Sequence, residues 1–153
     1  MYKTQISRIF TLFALSIMLS GCGEKEITGQ MFVVTQARDN IKLALVTVGA
    51  IPQEEFDQYL KAPGRNRGFG NEDFFIKNLP QPKFISKTDA DGKFALTLPS
   101  GKYVITANSS RGVFGSSETY HWLVTVDTSN INQPLMLSND NFLETKCNEC
   151  VKF

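Results

Sequence analysis

The chain has 153 residues, with 16 lysine and arginine residues against 15 aspartate and glutamate residues and a formal charge of +1 at neutral pH. That balance provides no basic surface for a phosphate backbone, so nucleic acid is excluded as an expected partner. The length suits one domain with a real core.

Residues Met1 to Arg8 carry Lys3 and Arg8 and no acidic side chain. Ile9 to Leu19 then form an almost uninterrupted apolar run of 11 residues, followed by Ser20, Gly21 and Cys22. A basic start, a short apolar stretch and small residues before a cut define a signal peptide. The run is far shorter than the ~20 residues that a membrane-spanning helix needs. Leu19-Ser20-Gly21-Cys22 resembles the lipobox of bacterial lipoproteins. The resemblance implies cleavage before Cys22 and a diacylglycerol thioether on its sulfur, with a further acyl group on the amine in many Gram-negative species. Two or more chains anchor stably where one does not. Gly23 stands where enterobacterial sorting uses Asp for inner-membrane retention. The expected location is therefore the outer membrane, or the cell membrane in a Gram-positive source. Removing residues 1–21 leaves 132 residues with a net charge near −1.

The remainder reads as strands. Ile27 to Thr35 and Ile41 to Ile51 are rich in β-branched residues and flank Arg38-Asp39-Asn40, a turn, so a first hairpin is expected. Pro52 to Lys61 changes period: Phe56, Tyr59 and Leu60 form one apolar face behind Pro52, Glu54 and Glu55, which predicts a short helix. Ala62 to Asp73 holds Pro63, Gly64, Gly68 and Gly70 among Arg65, Arg67 and Phe69, and reads as a connector or a binding loop. Phe84 to Thr88 is a short strand, and Asp89 to Gly92 a turn read as joining a hairpin. Three alternating strands follow: Lys93 to Leu98, Lys102 to Asn108 and Thr119 to Val126. They place Phe94, Leu96 and Leu98, then Tyr103, Ile105 and Ala107, then Tyr120, Trp122, Val124 and Val126 on one face each. Ser109 to Ser117 reads as a polar loop and Pro134 to Leu137 as a last edge strand. About seven short strands at this spacing predict an all-β sandwich.

Thr88-Asp89-Ala90-Asp91-Gly92-Lys93-Phe94 and Leu98-Pro99-Ser100-Gly101-Lys102-Tyr103 resemble the T-D-x-x-G-x-F…L-P-x-G-x-Y segment of carboxypeptidase regulatory-like domains. Thr28 to Val34 is similar to the first strand of such domains. The resemblance implies a seven-stranded transthyretin-like (prealbumin-like) β-sandwich, here with one short helix inserted after the second strand. It implies a non-catalytic accessory module with no cofactor.

Several other groups could carry chemistry. Asp89 and Asp91 echo the opening of a calcium loop, but its twelfth position is Ser100 instead of Glu. Cys147 and Cys150, spaced C-x-x-C, are expected to form a local disulfide in an oxidising compartment. An unpaired or intermolecular state, a redox couple and a metal site are the alternatives. His121 is the only histidine and alternates away from Trp122 on its strand. No G-x-S-x-G elbow is present, and Cys150-Val151-Lys152-Phe153 lacks the Y-R-G-S ending of transthyretin-fold hydrolases that open 5-hydroxyisourate. Trp122 and Tyr120 could stack a ligand, although their alternation places them in the core.

The expectation is a membrane-anchored, non-enzymatic envelope lipoprotein: signal peptide 1–21, lipidated tether 22–26, sandwich 27–138 and a tail 139–153 with the cysteine pair. Its expected binding surface combines Arg65, Arg67 and Phe69 with Arg111 and Phe114. Its expected partners are the membrane, through Cys22, and another envelope protein or a glycan. The competing expectation is a periplasmic thiol-redox or metal-handling lipoprotein acting through Cys147 and Cys150.

Overall fold

A computed structural model describes residues 23–62, 78–113 and 116–141. They hold eight strands and one helix: β1 (Glu24–Val34), β2 (Asn40–Lys42), β3 (Thr47–Pro52), α1 (Gln53–Lys61), β4 (Phe84–Lys87), β5 (Lys93–Pro99), β6 (Lys102–Val113), β7 (Ser116–Asp127) and β8 (Leu135–Leu137). In the first sheet β1 pairs antiparallel with β5 and β2 and parallel with β8. The second sheet runs β4-β3-β6-β7, all antiparallel.

Between the sheets lies one apolar layer. Ile27, Met31 and Val33 of β1 and Phe94, Leu96 and Leu98 of β5 meet Val48, Ala50, Tyr103, Ile105 and Trp122 of the second sheet. A smaller cluster sits on the far side of that sheet, where α1 lays Phe56 against Ile51 and Val104. Phe56 is fully buried, as is each of those partners. The period-3.6 face read from Phe56, Tyr59 and Leu60 is thus the docking face, with Glu54 and Glu55 in the first turn and Lys61 in the last. Because β3 is covered on both sides, Val48 to Ile51 is buried without interruption.

Five expectations need correcting. The described residues hold eight strands, not seven. The run Ile41 to Ile51 is not one strand: β2 pairs with β1 over three residues, and the chain then crosses to the other sheet as β3. The helix accordingly follows the third strand. The Asp89–Gly92 turn does not close a hairpin, because β4 pairs with β3 and β5 with β1. Ser109–Ser117 is not a loop: β6 and β7 stay in register from Lys102↔Asp127 to Val113↔Ser116. In addition, β1 begins at Glu24, three residues before the expected Ile27, and pairs there with Pro99.

The crossings are closed by buried hydroxyls. Thr88, 2% exposed, donates to the Leu43 carbonyl at 2.7 Å and accepts the Val46 amide at 2.9 Å. It thereby ties the β2–β3 crossing, where Leu45 takes φ 59°, to the β4–β5 crossing. Gly92, at φ 74°, lies so close to β1 that a Cβ would sit 2.4 Å from the Met31 carbonyl oxygen. At the other end Thr128 accepts the Gly101 amide at 2.9 Å and returns its own amide to the Gly101 carbonyl at 3.0 Å. A buried donor or acceptor left unpaired costs about 1–3 kcal/mol. Thr88→Val, which keeps the shape and removes both bonds, is therefore expected to lose about 1–3 kcal/mol in urea unfolding. Thr88→Ser retains most of that stability; an equal loss in both variants would show that the methyl packing, not the hydroxyl, matters.

Candidate functional site

The second sheet is longer than the first crossing requires. β3 pairs with β6 only as far as Val48↔Ala107, so among the described residues β6 and β7 continue beyond it as a two-stranded ribbon. Its sequence is polar, and it stays a ribbon through its backbone ladder and its cross-strand pairs rather than through apolar burial.

The inner face of the ribbon carries a connected series of side chains. Trp122 is fully buried and donates from Nε1 to the Ser138 carbonyl at 2.9 Å. Tyr120 stacks on it, with centroids 6.0 Å apart and planes inclined by 29°. The Tyr120 hydroxyl donates to Glu118 Oε2. The same oxygen accepts Arg111 Nε at 2.9 Å and lies 2.8 Å from Nη2. Arg111↔Glu118 and Ser109↔Tyr120 are cross-strand neighbours in the ladder, so register alone brings these groups together. The hydrogen bond from Tyr120, followed by that from Arg111, holds the Glu118 carboxyl below its ordinary value. Burial, followed by the bond to Glu118, pushes the Tyr120 hydroxyl above its own. The bond to Glu118 also raises Arg111. The result is an oriented guanidinium at the ribbon surface, where the Arg111 side chain is 25% exposed. Such a group suits recognition of carboxylates or other planar acceptors.

The outer face is different. Asn108 and His121 are paired across β6 and β7, and Gly49, Thr106 and Leu123 form the neighbouring row across β3, β6 and β7. Pro82 crosses directly over Gly49, where a Cβ would sit 2.5 Å from the proline ring. Pro80, Pro82, Thr47, Thr106 and Asn108 border a shallow groove of ≈ 200 Å³. His121 is half-buried on this outer face, as its alternation predicts, and is separated by the sheet from Glu118 and Tyr120. No group of three or more His, Cys, Asp or Glu side chains among the described residues could hold a metal ion. The aspartates of the Asp89–Gly92 turn are engaged locally. Asp89 Oδ1 accepts the Asp91 and Lys93 amides, each at 2.8 Å. Asp91 pairs with Lys42 at 2.5 Å, a hydrogen bond that lowers its pKa.

Of the expected binding residues, the structure places Arg111. Arg65, Arg67, Phe69 and Phe114 lie outside the described residues, as do Cys22, Cys147 and Cys150. The structure adds Glu118, which the sequence reading missed, and the bond that links it to Tyr120, which that reading had placed in the core. The opposite charge of Glu118 and its seven-residue spacing from Arg111 become a signal only once 109–117 is known to be paired. Trp122 and Tyr120 are core residues, so they offer no stacking platform.

No protein-family model and no curated protein matches the chain. Among solved structures, a Pseudomonas aeruginosa protein described as a "putative carbohydrate binding protein" aligns over 78% of this chain and 91% of its own, with a TM-score of 0.44 and 19% identity. A likeness this distant carries neither topology nor function across.

The Glu118 interactions make a pH prediction. A carboxyl whose folded pKa is depressed stabilises above its unfolded pKa, and that contribution is lost as pH falls through the folded value. The Glu118 carboxyl carbon is expected to titrate below the ordinary value of about 4.3. Order in the ribbon should fall with it. Glu118→Gln removes this acid transition and leaves Tyr120 still raised, because burial is its larger cause. A Glu118 midpoint at or above the ordinary value would contradict the arrangement.

Proposed function

We propose that this chain is a bacterial envelope lipoprotein whose β-domain binds a partner and catalyses no reaction. The observation that carries the reading is the leader: Leu19-Ser20-Gly21-Cys22 closes a short apolar run, and β1 begins two residues later at Glu24. In this reading residues 1–21 are removed, Cys22 is acylated, and Gly23 sends the protein to the outer membrane. The domain has a transthyretin-like core of the carboxypeptidase regulatory-like kind. The resembling residues support this, since each has a structural task. Thr88 locks two crossings, Gly92 passes under β1, Phe94 covers Gly29, and the Tyr103 hydroxyl donates to the Pro99 carbonyl at 3.1 Å.

A binding role is supported by how the polar groups of the ribbon are used. Arg111, Glu118 and Tyr120 satisfy one another, and the histidine lies across the sheet from them. The described residues of the ribbon present an oriented guanidinium, a group suited to recognition. Tyr103, Tyr120 and Trp122 are turned inward, so the described surface offers hydrogen-bonding groups rather than planes for sugar stacking. That favours an envelope protein over a glycan as the partner. Cys147 and Cys150 form a local disulfide in the oxidising envelope.

Intact mass of the membrane-extracted protein, with and without reduction and alkylation, tests the anchoring. Cys22–Phe153 plus acyl chains, two hydrogens short before reduction, is the expected mass. A chain retaining residues 1–21 contradicts the lipoprotein, and free thiols or bound metal favour the redox or metal-handling alternative. Cross-linking capture from isolated envelopes tests the surface. Arg111→Ala is expected to weaken capture by about tenfold, the equivalent of ~1.4 kcal/mol. Capture unchanged by Arg111→Ala, Arg65→Ala and Arg67→Ala would place the surface elsewhere.

A further inference from the structure

The first described residues are already part of the folded body. Glu24 is in register with Pro99, and Lys25 with Leu98. The Ser100 hydroxyl donates to the Gly23 carbonyl at 3.0 Å. Lys25 Nζ reaches across to the Ile131 carbonyl at 2.8 Å. Two residues of chain span about 7 Å at most, so Cys22 lies within that reach of a backbone held by the sheet. No free tether separates the lipidation site from the sandwich.

The same end of the molecule is braced. The Pro99-Ser100-Gly101 turn and the Asp127–Asn130 turn are bonded to each other through Thr128 and Gly101, in both directions. Asp127 Oδ1 accepts the amide of Ser129 at 2.9 Å and its hydroxyl at 2.6 Å. Lys102 pairs with Asp127 at the start of the β6–β7 ladder. This end is polar and of mixed charge. The exposed large apolar side chains among the described residues, Val34, Ile41, Leu45, Ile85 and Met136, all lie outside residues 23–25, 99–102 and 127–132. Such a surface suits contact with hydrated headgroups and gives no reason for insertion into hydrocarbon.

The geometry points to a rigid mount. Resting on the reading that Cys22 carries acyl chains, the domain stands directly on its lipid surface on the face made by residues 99–102 and 127–132, with the β6–β7 ribbon directed away. β6 has twelve residues, which at about 3.3 Å each place the tip of the ribbon roughly 40 Å from that face. Two consequences follow. The Arg111–Glu118–Tyr120 group is held at a fixed standoff, so its partner meets it at that height and not at the membrane surface. The chain also leaves the described domain near the ribbon end. Asn139 Oδ1 accepts the Val34 amide at 2.7 Å and Asn139 Nδ2 donates to the Val34 carbonyl at 3.1 Å, so residues after 141 start from the membrane-distal end.

The test uses the full acylated protein in vesicles that carry a headgroup nitroxide lipid. A fluorophore is placed by Asn130→Cys or by Ser117→Cys, in a chain in which Cys147 and Cys150 are serine. Strong quenching at position 130 with little at 117 is the expected result. Equal quenching at both positions, or stronger quenching at 117, overturns the mount. A twelve-residue Gly/Ser insertion between Gly23 and Glu24 is expected to reduce quenching at 130 severalfold. Undiminished quenching would show that this face binds lipid by itself, and it would overturn the tether-free mount. Intact mass and vesicle flotation are recorded on the same samples. Protein without acyl chains overturns the lipoprotein reading itself, which separates that failure from failure of the mount.

Discussion

Two buried threonines hold the sandwich shut. The described chain passes between the sheets four times, at 43–46, 88–92, 99–101 and 128–134. Each passage takes backbone polar groups away from a ladder, and each such group needs a partner. Thr88 joins the first two passages and Thr128 the last two, and both side chains are 2% exposed. Ser138, the third buried polar residue among those described, gives its carbonyl to Trp122 Nε1. A hydroxyl suits these positions because it donates and accepts from one atom. The apolar layer supplies most of the driving force, at about 1.5–3 kcal/mol for each large side chain buried. The threonines decide which strands that layer joins.

The closures also separate the two ends of the molecule by role. Thr128 and Gly101 brace the end where the chain enters β1. Thr88 braces the crossings beside the turn that lies under Met31. Beyond this second end, β6 and β7 continue without a third strand among the described residues and exchange apolar burial for charge pairing. A ribbon of two strands is marginal by itself. Here Trp122 roots it in the core, and Tyr120 and Glu118 extend that root outward to Arg111. The recognition proposed for this chain uses the end of that braced arm.

Half-buried antiparallel strands were legible in the sequence, and the reason is physical. β5 alternates because one of its faces is wet, so Phe94, Leu96 and Leu98 name their own face. The helix was legible because Phe56, Tyr59 and Leu60 break that period. β3 was not separable from β2, since α1 covers its second face and removes the alternation. The break falls at Leu45, a residue with no turn signature that is held at positive φ by the surrounding bonds. Asp89 to Gly92 has the same local chemistry whether it joins two paired strands or two sheets, and only the partner of β5 tells them apart. The ribbon was hidden because serine, arginine, glycine and glutamate resemble a loop when the ladder that pairs them is unknown. Of the site, Arg111 was visible by residue type, whereas Glu118 and its bond to Tyr120 needed the register.

The most direct test of this account is native-state hydrogen exchange at the amides of Val46 and Gly101, which donate to the hydroxyls of Thr88 and Thr128. If the closures hold the sheets together, both amides exchange only through global opening, as slowly as the central amides of β5 and β6. Exchange as fast as that of Gly112 in the exposed ribbon would mean that the crossings open without the sheets parting, which would contradict the account.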